Sequence, residues 1–147
     1  MMTTHRRFAL ATSLAAMLTL SLAPVAAQTA LADRPYKVVF QVSDADPAKW
    51  NLTLNNARNV QKDLGADKVA VEIVAYGPGI GMLKMDSVSG GRISEAAATG
   101  VSVVACENTM HAQKLTKADM LGGISYVAAG VVQLMERQKQ GYSYIRP

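Results

Sequence analysis

Apolar and polar positions along the chain alternate between a period of two and a period near 3.6. Tyr36–Ser43 (YKVVFQVS) is a β-branched and aromatic run of strand length. Asp44-Ala45-Asp46-Pro47 then predicts a helix start, with Asp46 as N-cap and Pro47 in the first turn, where its missing N–H costs nothing. From Pro47 to Leu64, the residues Trp50, Leu54, Ala57, Val60 and Leu64 recur at spacings of three and four and make one apolar face. Gly65 is the natural residue just past that helix. Lys68–Tyr76 (KVAVEIVAY) predicts a second strand, closed by the loop Gly77-Pro78-Gly79-Ile80-Gly81, and Met82–Met85 predicts a short helical turn. Gly90-Gly91 leads into a compact helix over Arg92–Thr99, which Gly100 ends.

The second half repeats the alternation. Val101–Ala105 is apolar at nearly every position, as a strand covered on both faces should be. Cys106 follows directly, and Asn108 or Thr109 is expected to cap a helix running towards Leu115. Thr116 is expected to cap a turn over Lys117–Leu121 before Gly122-Gly123. Ile124–Val127 predicts a short fourth strand, and Tyr142–Ile145 a short last one. Between them Ala128–Gln140 predicts a helix with Val131, Val132, Leu134 and Met135 facing inward, ended by Gly141. Strands alternating with helices mean a parallel sheet sandwiched between helices. The expectation is a single three-layer α/β/α domain over residues 33–147 with a mostly parallel sheet of about five strands. A chain of 147 residues that is 50% hydrophobic supports one such domain and excludes disorder.

Residues 1–32 have a different character. Met1–Arg7 carries two arginines and a histidine, and Phe8–Leu22 is an apolar stretch. Pro24 and two small-residue sites follow, Val25-Ala26-Ala27 and Ala30-Leu31-Ala32. This is the layout of a secretory signal peptide, with cleavage before Gln28 or before Asp33. The apolar run is shorter than the roughly 20 residues of a membrane span, so no membrane association is expected after cleavage. The residues after Arg6-Arg7 fit a twin-arginine motif poorly, and the Leu-rich core suits general secretion. No cysteine stands near either cleavage site, which excludes a lipoprotein anchor. The mature protein is expected to be periplasmic or secreted. The full chain carries a net charge of +4, but Arg6 and Arg7 leave with the leader and no acid precedes Asp33. The remaining excess is too small for the clustered basic face of a nucleic-acid binder.

Cys106 is the only cysteine, so no intramolecular disulfide is possible. As a small hydrophobe it belongs in a core. Its expected place at the carboxyl end of a parallel strand, just before a helix, also suits a reactive thiol. Ligands collect at that edge of open α/β sheets, and helix N–H groups favour thiolate over thiol. Spacing alone leaves both readings open. His111, five residues on, is either an exposed helix residue or a proton acceptor for the thiol. Glu107 would oppose thiolate formation and is expected to point outward.

The segments Gly100–Met110 (GVSVVACENTM), Tyr76–Gly81 (YGPGIG) and Ala129–Pro147 (AGVVQLMERQKQGYSYIRP) resemble the DsrE/DsrF-like family, over essentially all of Tyr36–Pro147. The strand ending in Cys-x-Asn-Thr-Met is the most specific piece. The resemblance implies a small α/β domain that assembles into homotrimers or homohexamers. It also implies that Cys106 matches a cysteine which, in some members, holds sulfur as a persulfide, making the protein a sulfur carrier rather than a turnover enzyme. The sulfur donor and acceptor stay unidentified. The characterised relay members are cytoplasmic, and an exported thiol meets oxidants that compete with persulfide formation.

Two other chemistries remain. Gly77, Gly79 and Gly81 would let a backbone approach a phosphate, yet Met82 stands where the dinucleotide pattern needs glycine and no Gly-Lys-Ser/Thr follows. The loop is expected to turn tightly or to form one wall of a pocket at Cys106, and no cofactor is expected. In the competing class the protein is a non-catalytic oligomeric binding module with a structural Cys106. Cys106, Met110 and His111, with Met82 and Met85 across the edge, would suit a soft ion such as Cu(I), although these methionines are spaced like core residues.

Overall fold

Five strands build one sheet in the computed structural model, which describes residues 33–147. The expected leader and its cleavage points lie outside the described residues. The strands are β1 (Tyr36–Val42), β2 (Val69–Ala75), β3 (Ser102–Cys106), β4 (Ser125–Val127) and β5 (Ser143–Ile145). They lie in the order β4-β3-β2-β1-β5, and every neighbouring pair is parallel. Parallel neighbours require crossovers, and helices supply them. They are α1 (Pro47–Leu64), α2 (Gly90–Ala98), the six-residue α3 (Glu107–Ala112) and α4 (Gly130–Lys139). The expected α/β/α architecture is the one observed.

Local chemistry explains the best-read elements. The Asp46 carboxylate accepts from the Ala48 N–H at 2.8 Å, Pro47 occupies the first turn, and Gly65 leaves α1 with φ of 93°. The strands put alternate residues on opposite faces. Val38, Phe40, Val71, Ile73, Val103 and Ala105 join Trp50, Leu54 and Ala57 of α1 and Ile93 of α2 in one core. Val39, Ala70, Val74 and Val104 meet Leu134 of α4 and Tyr142 in a smaller one. Cys106 follows Val104 by two residues and therefore belongs to the α4 face.

Three expectations change. The Gly77–Gly81 loop and the Met82–Met85 turn are one element, a 3₁₀ helix over Gly77–Leu83 with Pro78 in its first turn. The helix after β3 starts at Glu107 with Cys106 itself in the N-cap position, so neither Asn108 nor Thr109 caps it. On α4, Val131, Val132 and Met135 are each more than half exposed instead of facing inward. The face turned to the sheet is Gly130, Gln133, Leu134 and Arg137, at helical spacings of three and four. Glu72 selects it. This carboxylate lies in the middle of β2 at 2% exposure, and a buried charge must find partners. Gln133 Nε2 donates to Glu72 Oε1 at 2.7 Å, while Arg137 donates to both oxygens, Nε to Oε1 at 3.0 Å and Nη2 to Oε2 at 2.7 Å. Turning Gln133 and Arg137 inward rotates the apolar stripe outward.

The chain order reverses between β1 and β5, so the topological switch point lies there. Cys106 shares the carboxyl edge of the sheet but stands two strands away from that crevice.

Candidate functional site

β3 delivers Cys106 to the carboxyl edge, and two segments distant in sequence enclose its sulfur. The Gly130 N–H, at the first position of α4, donates to Cys106 Sγ at 3.2 Å. The Ala128 carbonyl lies 3.9 Å from the sulfur and accepts from the thiol. On the other side Thr109 Oγ1 accepts from the Gly77 N–H at 2.9 Å, which leaves the hydroxyl proton to be donated elsewhere. Gln113 Nε2 donates to the Gly77 carbonyl at 3.3 Å and ties the same loop to the segment after α3.

Burial pushes the Cys106 thiol up. The Thr109 hydroxyl beside the sulfur, the Gly130 N–H bonded to it and the Thr109 N–H at the start of α3 outweigh it, and hold the thiol below its ordinary value. The first position of a ten-residue helix adds a positive partial charge at the sulfur. Because the folded thiol ionises at lower pH than the unfolded one, this ionisation stabilises the fold above the folded pKa. The contribution is lost as pH falls through that pKa. Wild type should therefore gain thermal stability over Cys106→Ser as pH rises from neutral towards the ordinary cysteine pKa of about 8.5. A difference independent of pH would contradict the shift.

The model of the DsrE/DsrF-like family matches residues 36–147, which include every element that builds the site. The chain belongs to the DsrE/DsrF-like family. Among solved structures it is similar to a protein of unknown function, MTH1491 from Methanobacterium thermoautotrophicum. The two share 38% identity with a TM-score of 0.73, over 76% of this chain and 99% of that one. No functionally curated protein matches the chain.

In this DsrE/DsrF-like protein the other candidates separate. Cys106 is only 5% exposed, so the thiol is buried beneath α4 instead of open at the edge. Thr109 is brought to the thiol, while the Asn108 N–H donates to the Ala128 carbonyl at 3.1 Å and the Asn108 side chain is exposed. Glu107 points away, as expected, and Lys117 Nζ stands 3.7 Å from it. His111 is exposed on α3 and is not among the groups bonded to the sulfur. Gly77 touches the site through Thr109, whereas Gly79 packs on the end of β1 and Gly81 on Trp50. Met82 and Met110 are buried in the α1–α2 core and Met85 is exposed. The thiol, in contrast, turns to α4, so the soft-metal set is not assembled. No cluster of three or more His, Cys, Asp or Glu suited to a metal occurs among the described residues.

Sequence reasoning missed Gly130. A Cβ there would stand 3.1 Å from Tyr76 Cβ and 3.3 Å from Cys106 Cβ, so glycine permits α4 to approach the thiol. Gly130→Ala should cost about 1–3 kcal/mol by overpacking. It should also raise the thiol pKa, because the N–H donor moves back. An unchanged pH profile of thiol alkylation in this variant would refute that coupling. Glu72 was also missed, although one acid inside an apolar strand signals a buried partner.

Proposed function

We propose that Cys106 is a stabilised thiolate that accepts and carries sulfur as a persulfide, in an exported, self-associating member of the family. Cys106 Sγ accepts the Gly130 N–H at 3.2 Å, and this observation carries the reading. It supplies the fixed donor that a sulfur anion needs in a nearly water-free place. The thiolate attacks the outer sulfur of a donor persulfide R–S–SH. A new S–S bond forms on Cys106 as the donor S–S bond breaks, the donor leaves as R–S⁻, and the proton stays on the transferred sulfur. Cys106–S–SH then passes the outer sulfur to an acceptor thiolate by the same exchange, with no net oxidation. Glycine at position 130 and the Thr109 hydroxyl favour the charged state at both ends of the cycle.

Self-association is supported by two surfaces. β5 is a three-residue edge strand whose Tyr144 and Ile145 remain partly exposed, and α4 presents Val131, Val132 and Met135. Light scattering of the mature protein at micromolar concentration should give a trimer or hexamer. A monomer would refute this part. Export is supported by the leader-like composition of residues 1–32 and is tested by whether the native protein begins at Gln28 or Asp33.

Intact mass tests the sulfur chemistry. After exposure to a low-molecular-weight persulfide, the protein should gain one sulfur atom that reductant removes, and Cys106→Ser should gain none. Gain of oxygen atoms alone, or equal gain by the serine variant, would overturn the reading.

A further inference from the structure

A groove between α1 and α2 opens on the face of the sheet opposite Cys106. It lies near Val101, which precedes β3, and so towards the amino ends of the strands. Its cavity is about 190 Å³. Leu54, Ala96 and Val101 give it apolar lining, while Arg58 and Arg92 approach from the two helices.

The two guanidinium groups are the unusual feature. Arg92 donates from Nη1 to Asn51 Oδ1 at 2.6 Å and from Nη2 to Asn55 Oδ1 at 2.7 Å. Arg58 Nη2 reaches the same Asn55 oxygen at 3.5 Å. Two cations thus converge on one neutral amide oxygen. Arg137 and Arg146 each reach a carboxylate, but neither Arg58 nor Arg92 forms an ion pair among the described residues. Residues 1–32 contain no Asp or Glu that could supply one. Glu95 also lines the groove, without an ion pair to either arginine. The two arginines outnumber it, so the groove keeps a net positive charge. Asn51 and Asn55 occupy only part of the five N–H donors of each guanidinium. Like charges held together over an apolar floor are complementary to an anion with an apolar body.

We propose that this groove binds a small aliphatic monocarboxylate. Its carboxylate would lie between Arg58 and Arg92, and its short hydrocarbon chain on Leu54, Ala96 and Val101. An apolar cavity of about 150 Å³ takes a molecule the size of benzene, so this one is on the scale of a short-chain acid. The Gln61 and Thr99 side chains hold the far wall rigid, with Gln61 Nε2 donating to the Thr99 carbonyl at 2.9 Å and Thr99 Oγ1 to Gln61 Oε1 at 3.0 Å. The site is separate from the thiol, so occupancy does not depend on Cys106.

The test is an NMR titration of the full mature chain with pentanoate at constant ionic strength. Chloride and inorganic phosphate are the comparison anions. Saturable shifts are expected at the Gln61 side-chain amide and the Ala96 N–H. Arg92→Gln and Arg58→Gln should each weaken binding about tenfold, and Cys106→Ser should leave it unchanged. Arg58 is exposed and Arg92 half-buried, and retained chemical-shift dispersion in each variant would confirm its fold. Three outcomes would overturn the proposal: no saturable shift with pentanoate, shifts insensitive to both arginine variants, or phosphate binding as tightly as pentanoate, which would leave the apolar floor without a role.

Discussion

Arg137→Ala is expected to destabilise the folded chain by about 3–5 kcal/mol, because it strands a buried carboxylate. Glu72 is 2% exposed, and the guanidinium bonds both of its oxygens. With Arg137 gone, Gln133 alone remains on Glu72 Oε1. Arg137 also lies 5.2 Å from the Tyr142 ring centroid, a contact alanine cannot make. The double variant Glu72→Leu/Arg137→Met removes both charges and should recover most of the loss. Urea denaturation of the single and the double variant reads both results. A single variant within about 1 kcal/mol of wild type would mean that the pair does not hold α4 to the sheet.

Gly79→Ala should be nearly as damaging, at about 3 kcal/mol or more, because the overlap is with backbone. A Cβ there would overlap the Val42 carbonyl oxygen and lie 2.6 Å from the carbonyl carbon and 2.9 Å from Ser43 Cα. None of these atoms can turn aside as a side-chain end does. Gly81→Ala is the control, since its Cβ would sit 3.4 Å from Trp50 Cη2, an ordinary contact. Thermal denaturation should show a large loss for Gly79→Ala and a small one for Gly81→Ala. Equal effects would mean that these glycines serve something other than the close approach of the 3₁₀ helix to β1.

The strands and α1 were readable because local chemistry decides them. β-branched runs sit where the strands form, and Asp46, Pro47 and Gly65 bound α1 by side-chain and backbone preferences that act within a few residues. The face of α4 was not readable by apolar pattern. Val131, Val132 and Met135 look like a core stripe, and only the long-range demand of Glu72 for Gln133 and Arg137 turns them outward. The site divides the same way. Cys106 and Thr109 stand out within one short segment. The burial of the thiol and its Gly130 donor depend on a helix that returns 24 residues later, which spacing around the cysteine does not encode. Thr109 was legible as a residue but not in its role, since its hydroxyl accepts from the Gly77 N–H and lowers the thiol pKa instead of capping α3.

The most direct measurement is the rate of Cys106 alkylation by iodoacetamide in native and denatured protein across about pH 5 to 9, where only thiolate reacts. Burial at 5% exposure lowers the absolute native rate, but the midpoint of its pH dependence still reports the ionisation of the sulfur. The expected result is a native midpoint below the ordinary value of about 8.5, moving up in Gly130→Ala and in Thr109→Val, with no labelling in Cys106→Ser. A native thiol that stays inert over the whole range and labels fully only in denaturant would make Cys106 a packed core residue and contradict its role as a sulfur carrier.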